Sequence, residues 1–205
     1  MPRPRFDRLA PDQQDAILTA ALREFAAHGY ADASLNRIIA AAGLSKGAMY
    51  YYFDDKADLY LHVVGTQLGR LTGEPGGFTL FRATSAAGFW SALAVDALAA
   101  LTTLSTLPEV AAVLRDAAGG SGAAVLRRGQ EEFDSATRPW VERAIQRGQQ
   151  LGAVRVDVPV ELLCAVAGAM MQAMDAWYLT QRDVVRPDCG VVHDFIGMLR
   201  RALEP

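Results

Sequence analysis

The chain has 205 residues, 51% of them hydrophobic, which is enough apolar material for one small domain and one larger one. Its formal net charge of −3 excludes a histone-like or polybasic coat for nucleic acid. The two cysteines, Cys164 and Cys189, stand in no metal-like spacing and predict no disulfide framework.

The first residues, Met-Pro-Arg-Pro-Arg, carry charge with no apolar stretch after it, so no secretory signal is expected and a reduced, cytoplasmic protein is. Arg3, Arg5 and Arg8 read as a disordered terminus rather than an arm that reaches DNA. The first helix is predicted from Pro11-Asp12, with proline early and Asp12 and Asp15 in its first turn. Ile17, Ala21 and Phe25 define its inner face, and His28-Gly29 ends it.

Two short helices about a tight turn follow. Ser34 caps the first, and Leu35, Ile38, Ile39 and Ala42 recur at three- and four-residue spacing as its apolar face. Gly43 supplies the left-handed residue that stops it, with Leu44 folding back as the apolar contact. Ser45 caps the second, Lys46 to Phe53, in which Met49 and Phe53 form an inward i, i+4 pair. Lys46, Gly47, Ala48, Tyr50 and Tyr51 then point outward. The small Gly47 and Ala48 let the backbone approach a groove, and Lys46 and the tyrosine hydroxyls reach base edges or phosphates. These are the parts of a helix-turn-helix DNA reader.

Asp54 is expected to cap the next helix, which runs from about Asp55 to Leu71. Lys56 lies in its first turn, where a cation opposes the helix dipole, and an external phosphate accounts for it. The first 60 residues carry seven Lys/Arg against eight Asp/Glu, so non-specific DNA affinity is expected to be modest.

The stretch from about Ile17 to Tyr60 resembles the DNA-binding domain of TetR-family transcriptional regulators. The resemblance rests on Phe25…Gly29-Tyr30, Ala42-Gly43-Leu44-Ser45-Lys46-Gly47, Met49-Tyr50-x-Tyr52-Phe53 and Lys56-x-x-Leu59, in that order. It implies phosphate contacts from Ser34, Tyr52 and Lys56, for Tyr52 beside packing against the first helix. It also implies that Asn36, Arg37, Lys46, Gly47, Ala48, Tyr50 and Tyr51 face the major groove, with Ser45 at the edge of the site.

Beyond Gly73-Glu74-Pro75-Gly76-Gly77, which breaks the pattern, helices are predicted over roughly 85–105, 108–117, 122–150, 159–181 and 188–203. Pro139 is expected to kink or split the 122–150 segment. The expected fold is all-α with about nine helices, divided into a reader at 1–60 and an effector-binding and dimerisation domain at 61–205. Val158 to Leu179 is apolar almost all round, but the uncharged run from Leu162 to Met174 is short of a membrane span. A core on one face and a second subunit on the other account better for it. Ala165, Gly168, Ala169 and Ala173 leave room for close approach, and the last helix (Val191, Val192, Phe195, Ile196, Leu199) completes the four-helix interface that the resemblance implies.

Phe89, Trp90, Phe133, Trp140, Met170, Met171, Met174, Trp177 and Tyr178 form a stock of large, adaptable side chains suited to an apolar pocket, and equally to an ordinary core. Asp175, an isolated carboxylate on an apolar helix, needs a partner, either a ligand group or an arginine across the dimer. The resemblance implies a small effector, a palindromic DNA operator and a homodimer, and no cofactor is expected. Enzyme chemistry is not expected either. His28, His62 and His193 sit in no motif with a nucleophile or paired carboxylate, and Gly119-Gly120-Ser121-Gly122 lacks the lysine of a phosphate loop. The rival is a constitutive DNA-binding regulator whose C-terminal domain only dimerises or recruits protein.

Overall fold

The computed structural model describes residues 4–72, 78–128, 130–180 and 189–205. Among the described residues there are ten α-helices, one 3-10 helix and no strand. The helices are α1 (Pro11–Asp32), α2 (Leu35–Ala41), α3 (Lys46–Tyr52), α4 (Lys56–Thr72), α5 (Ala86–Ser105), α6 (Pro108–Gly119), α7 (Ala123–Arg128), α8 (Gln130–Gln150), α9 (Val160–Thr180) and α10 (Cys189–Leu203). The 3-10 helix, Thr79–Arg82, has no counterpart among the expected elements. Pro139, expected to kink or split the 122–150 segment, lies inside α8.

Two compact units form. One comprises residues 1–68 with 107–132, and the other residues 69–106 with 133–205. The first therefore holds α1 to α4 together with α6 and α7, a wider membership than the expected 1–60.

In this first unit α1 starts on Pro11 and turns Ile17, Leu18, Ala21 and Phe25 inward. At Gly29 the backbone takes φ 66°, ψ 175°, a conformation that favours glycine. The chain then adds one more turn before Ala33. Ile38 from α2, Met49 and Phe53 from the α3 segment, and Leu59, Tyr60 and Val63 from α4 meet α1 at the centre, each 1% exposed or less. Burying each such side chain is worth roughly 1.5–3 kcal/mol, so these few hold a very small unit together. The N-cap of α4 is Asp55, whose carboxylate accepts the Asp58 N–H at 2.8 Å. The Asp58 carboxylate reaches back to the Asp54 N–H at 3.1 Å, so Asp54 contributes a backbone donor instead of the expected cap.

The segment ahead of α1 is ordered where it is described. The Leu9 N–H donates to Phe6 O at 3.0 Å, the Gln14 amide donates to Leu9 O at 3.0 Å, and Phe6 is 1% exposed. A disordered terminus was expected here; one aromatic side chain fastens residues 4–9 to the fold. Arg3 lies outside the described residues.

The second unit packs α5, α8, α9, α10 and the 3-10 helix around Leu80, Phe89, Trp90, Leu163, Phe195 and Leu199. Asp96 on α5 ties down the 3-10 helix by accepting from the Thr79 and Leu80 backbone N–H groups, each at 3.0 Å, and from the Thr79 hydroxyl at 2.8 Å. Two of the helices, α5 and α9, are long and apolar enough by composition to cross a membrane, and both contribute to this unit's core.

Candidate nucleic-acid interface

The turn between α2 and α3 is built as its residues predict. The Ser34 hydroxyl accepts the Arg37 N–H at 3.4 Å, and the Ser45 hydroxyl accepts the Ala48 N–H at 3.1 Å. Gly43 has φ 65°, and the Leu44 N–H returns to Ile39 O at 3.0 Å, closing α2 in a left-handed stop. Met49 and Phe53 are each 1% exposed, which fixes the rotation of α3 about its axis. Lys46, Gly47, Tyr50 and Tyr51 are consequently exposed and Ala48 is half-exposed. These five share the outward side of a helix whose uncapped N–H groups favour anions at its start.

Three candidates behave differently. Arg37 is spent within the fold: its Nε donates to Glu24 Oε1 at 2.8 Å, its Nη2 to the same oxygen at 2.6 Å and to Asp32 O at 3.0 Å. That pairing holds the Glu24 carboxyl below its usual range, and the carboxylate also accepts the Ser34 N–H at 2.8 Å. Lys56 donates to Ala31 O at 3.0 Å and Ala33 O at 3.1 Å, and its ammonium lies 4.7 Å from the Tyr30 ring centroid. Carbonyls at the end of α1 thus give this ammonium neutral acceptors within the chain itself. Tyr52 is half-buried, its ring set edge-on to Phe6 at 6.3 Å. Asn36 is exposed on α2.

Behind the reader lies a polar cluster that the sequence did not single out. The Tyr60 hydroxyl donates to Asp116 Oδ2 at 2.8 Å, the Tyr30 N–H donates to the same oxygen at 3.0 Å, and the Ser121 hydroxyl donates to Oδ1 at 2.8 Å. The Ala31 N–H completes it by donating to Ser121 Oγ at 3.0 Å. Burial first, and Asp116 second, push the Tyr60 phenol well above its ordinary range, so it stays a donor. One carboxylate on α6 therefore clasps α4 and the end of α1. A tyrosine at helical spacing in α4 and an aspartate 56 residues later give no linear signal for this pairing. His62, beside Phe6 and Phe53, is held below its usual pKa by burial.

The candidates for a ligand pocket divide. Phe89, Trp90, Trp140 and Met171 line one apolar cavity with Leu93, Val141, Ile145 and Leu199, and its free volume is only about 30 Å³. Among the described residues, the buried indole N–H groups of Trp90 and Trp140 have no acceptor. Met170 and Met174 pack half-buried against the core, and Tyr178 is buried within it. Trp177, half exposed, and Asp175 are not among the cavity's lining residues. Asp175 is exposed on α9, and partial desolvation holds its carboxyl above the usual carboxylate range. The side chain of Phe133 lies outside the described residues. Among the described residues no cluster of His, Cys, Asp and Glu suits a metal ion.

Val192, Phe195, Ile196 and Leu199 of α10, expected at a subunit interface, are instead buried in their own unit's core, with Val191 half-buried. On α9, Leu162, Ala165, Val166, Ala169 and Ala173 are exposed at three- and four-residue spacing, and Gly168 is half-exposed. Met198 on α10 is likewise exposed.

Residues 17–63 match the family described as bacterial regulatory proteins, tetR family. The regulator AcrR of Shigella flexneri is 41% identical over 54 residues, 26% of this chain and 25% of AcrR. In four curated relatives that align over 54 to 60 residues, the chain spans 25% to 32% of their length. The repressor Rv1474c of Mycobacterium tuberculosis is 30% identical over 166 residues, 80% of each chain. In three dimensions the chain superimposes on FadR of Bacillus subtilis, solved in complex with stearoyl-CoA, with a TM-score of 0.68 at 17% identity, covering 92% of this chain and 98% of that one. That likeness concerns the fold. With the capped α2–α3 reader in place and a relative alignable over four-fifths of both chains, the chain belongs to the TetR family of bacterial transcriptional regulators.

Proposed function

We propose that this protein is a homodimeric repressor that binds a palindromic operator through α2 and α3 and is released by a small, largely hydrophobic effector. The observation that carries the reading is the outward side of α3. A Ser45-capped helix start presents Lys46, Gly47 and Ala48, with Tyr50 and Tyr51 behind, while Met49 and Phe53 lock the helix down. Lys46 and the tyrosines act as donors to base edges and phosphates. Asn36 and the Ser34 hydroxyl flank them, Tyr52 contributes chiefly by packing, and Arg37 and Lys56 hold the reader on α1 rather than gripping DNA.

Two copies pair through the exposed stripe of α9, with Met198 of α10 alongside. Small residues at 165, 169 and 173 allow close helix approach there, and a two-fold dimer matches a two-fold operator. The effector site is the apolar cavity between Phe89, Trp90, Trp140 and Met171. FadR of Bacillus subtilis, which shares the fold, was solved with stearoyl-CoA, and that supports a ligand-responsive second unit. Ligand there shifts the reader to a geometry that no longer fits the operator, and affinity falls by the ligand's differential binding to the two states.

One observation favours a second reading. A cavity of about 30 Å³ holds little more than a water, so an effector has to open it. A constitutive DNA-binding dimer leaves it shut.

Selection of bound duplex from a random pool tests the first part. A palindrome recovered by the wild-type chain and lost for Lys46→Ala and Tyr50→Ala supports the reader; absence of any consensus sinks it. Titration of that complex with hydrophobic compounds then separates release by an effector from a constitutive dimer.

A further inference from the structure

The turn of residues 4–9 is fastened to the end of the recognition helix. The Phe6 ring lies 5.0 Å from Phe53, 5.1 Å from His62 and 6.3 Å from Tyr52, so its anchor is the segment that closes α3. The Arg8 N–H donates to Arg5 O at 3.3 Å, which fixes the backbone of Arg5 one residue ahead of the anchor. Arg5 is exposed, and its guanidinium carbon lies 4.4 Å from the centroid of the Tyr51 ring.

Tyr51 holds a special place on α3. It is two residues from both Met49 and Phe53, so at about 100° per residue it lies roughly 160° round the helix from each buried side chain. Tyr51 is therefore at the middle of the outward side, with 48% of its surface exposed. Arg5 is carried to that same place from outside the helix. Among the described residues no carboxylate pairs with it, whereas Arg37 and Lys56 each have donors engaged by α1 and its C-cap. A guanidinium lying over a phenol ring keeps its donor edge free, and the stack narrows the rotamers that binding has to freeze.

We propose that Arg5 is a DNA-contacting residue, presented by the Phe6 anchor and the Tyr51 ring so that its guanidinium donates to acceptor atoms of the bound duplex. The inference rests on α3 being the reader. The acceptors belong either to backbone phosphates or to a guanine edge, which share bidentate geometry toward arginine.

The test is equilibrium binding of the full chain to two duplexes of equal length, one enriched from a random pool by the wild type and one unrelated, over about 50 to 200 mM salt. Arg5→Ala is expected to weaken binding to the enriched duplex about tenfold, the scale of one specific contact. A phosphate contact lowers the slope of log affinity against log salt by about one on both duplexes. A guanine contact leaves the slope unchanged and removes the preference at one position per half-site when selection is repeated with Arg5→Ala. Tyr51→Leu, which takes away the ring, shrinks the effect of Arg5→Ala in a double-mutant cycle. Wild-type affinity, slope and selected sequence for both Arg5→Ala and Arg5→Gln overturn the proposal, and loss of binding by Lys46→Ala in the same experiment shows that the reader itself still stands. If Lys46→Ala binds as the wild type does, the reader assignment falls, and the unrelated duplex still reports whether Arg5 touches phosphate. Arg5 is exposed, so a thermal melt that matches the wild type confirms that each variant is folded.

Discussion

Asp116 shows how much one carboxylate can organise. It receives two hydroxyl donors and one backbone N–H, and Gly122 lies against the same cluster. A Cβ at 122 would overlap the Tyr60 hydroxyl and crowd Asp116 Oδ2. Gly122→Ala is therefore expected to destabilise the protein by about 1–3 kcal/mol through overpacking, read by chemical denaturation. A measured change within about 0.5 kcal/mol, the scale of an ordinary surface substitution, contradicts that packing. His62 supplies the pH dependence. Its folded pKa is depressed by burial, so its contribution is fully present above the ordinary histidine value and is lost as pH falls below it. Acidification from about pH 7 to pH 5 is expected to lower the melting temperature by a few degrees, and His62→Leu to flatten that slope. A slope unchanged in the variant assigns the effect to other groups. Some residue roles were open to reading from the sequence alone, because Ser34, Gly43 and Ser45 act on backbone within three or four positions of themselves. Arg37 and Lys56 were not: their partners, Glu24 and the Ala31 and Ala33 carbonyls, are decided by how α1 folds back.

At the scale of elements, α3 is only seven residues long and cannot persist by propensity. Its cap and its two buried anchors keep it helical. Ser45→Ala removes the hydroxyl acceptor of the Ala48 N–H, leaving it only the Ser45 carbonyl, and is expected to cost about 1 kcal/mol of stability. Because the cap sits at the start of the reader, operator affinity should fall more than global stability does. Titration calorimetry beside denaturation distinguishes the two, and equal losses argue against a local effect. Helix existence was legible throughout, since period and punctuation both mark it. The course of the 122–150 segment was not, because proline is the stronger written signal yet Pro139 is accommodated within α8. The 3-10 helix was missed for a similar reason. Thr79 to Arg82 is held by Asp96 from another helix rather than by any preference of its own.

For the molecule as a whole, the residues of α10 assigned to an interface turned out to fill the core, while the small residues of α9 stayed outside. Amphipathic pattern tells which side of a helix is apolar, but for a helix apolar on both sides it does not tell which side faces its own chain. If the α9 stripe joins two copies, Ala169→Glu places like charges at the pairing surface and should convert the dimer to monomer in sedimentation while leaving helical content intact. Persistence of the dimer moves the interface elsewhere. The placement of α6 and α7 with the reader has a further consequence. The DNA-reading body is discontinuous in the chain, entered at residue 1, left at 68, re-entered at 107 and left again at 132. Transplanting residues 1–68 onto another regulator would strip Tyr60 and Tyr30 of Asp116 and uncover the side of α1 that α6 occupies. A working exchange of operator specificity therefore has to move two stretches of sequence as one cassette.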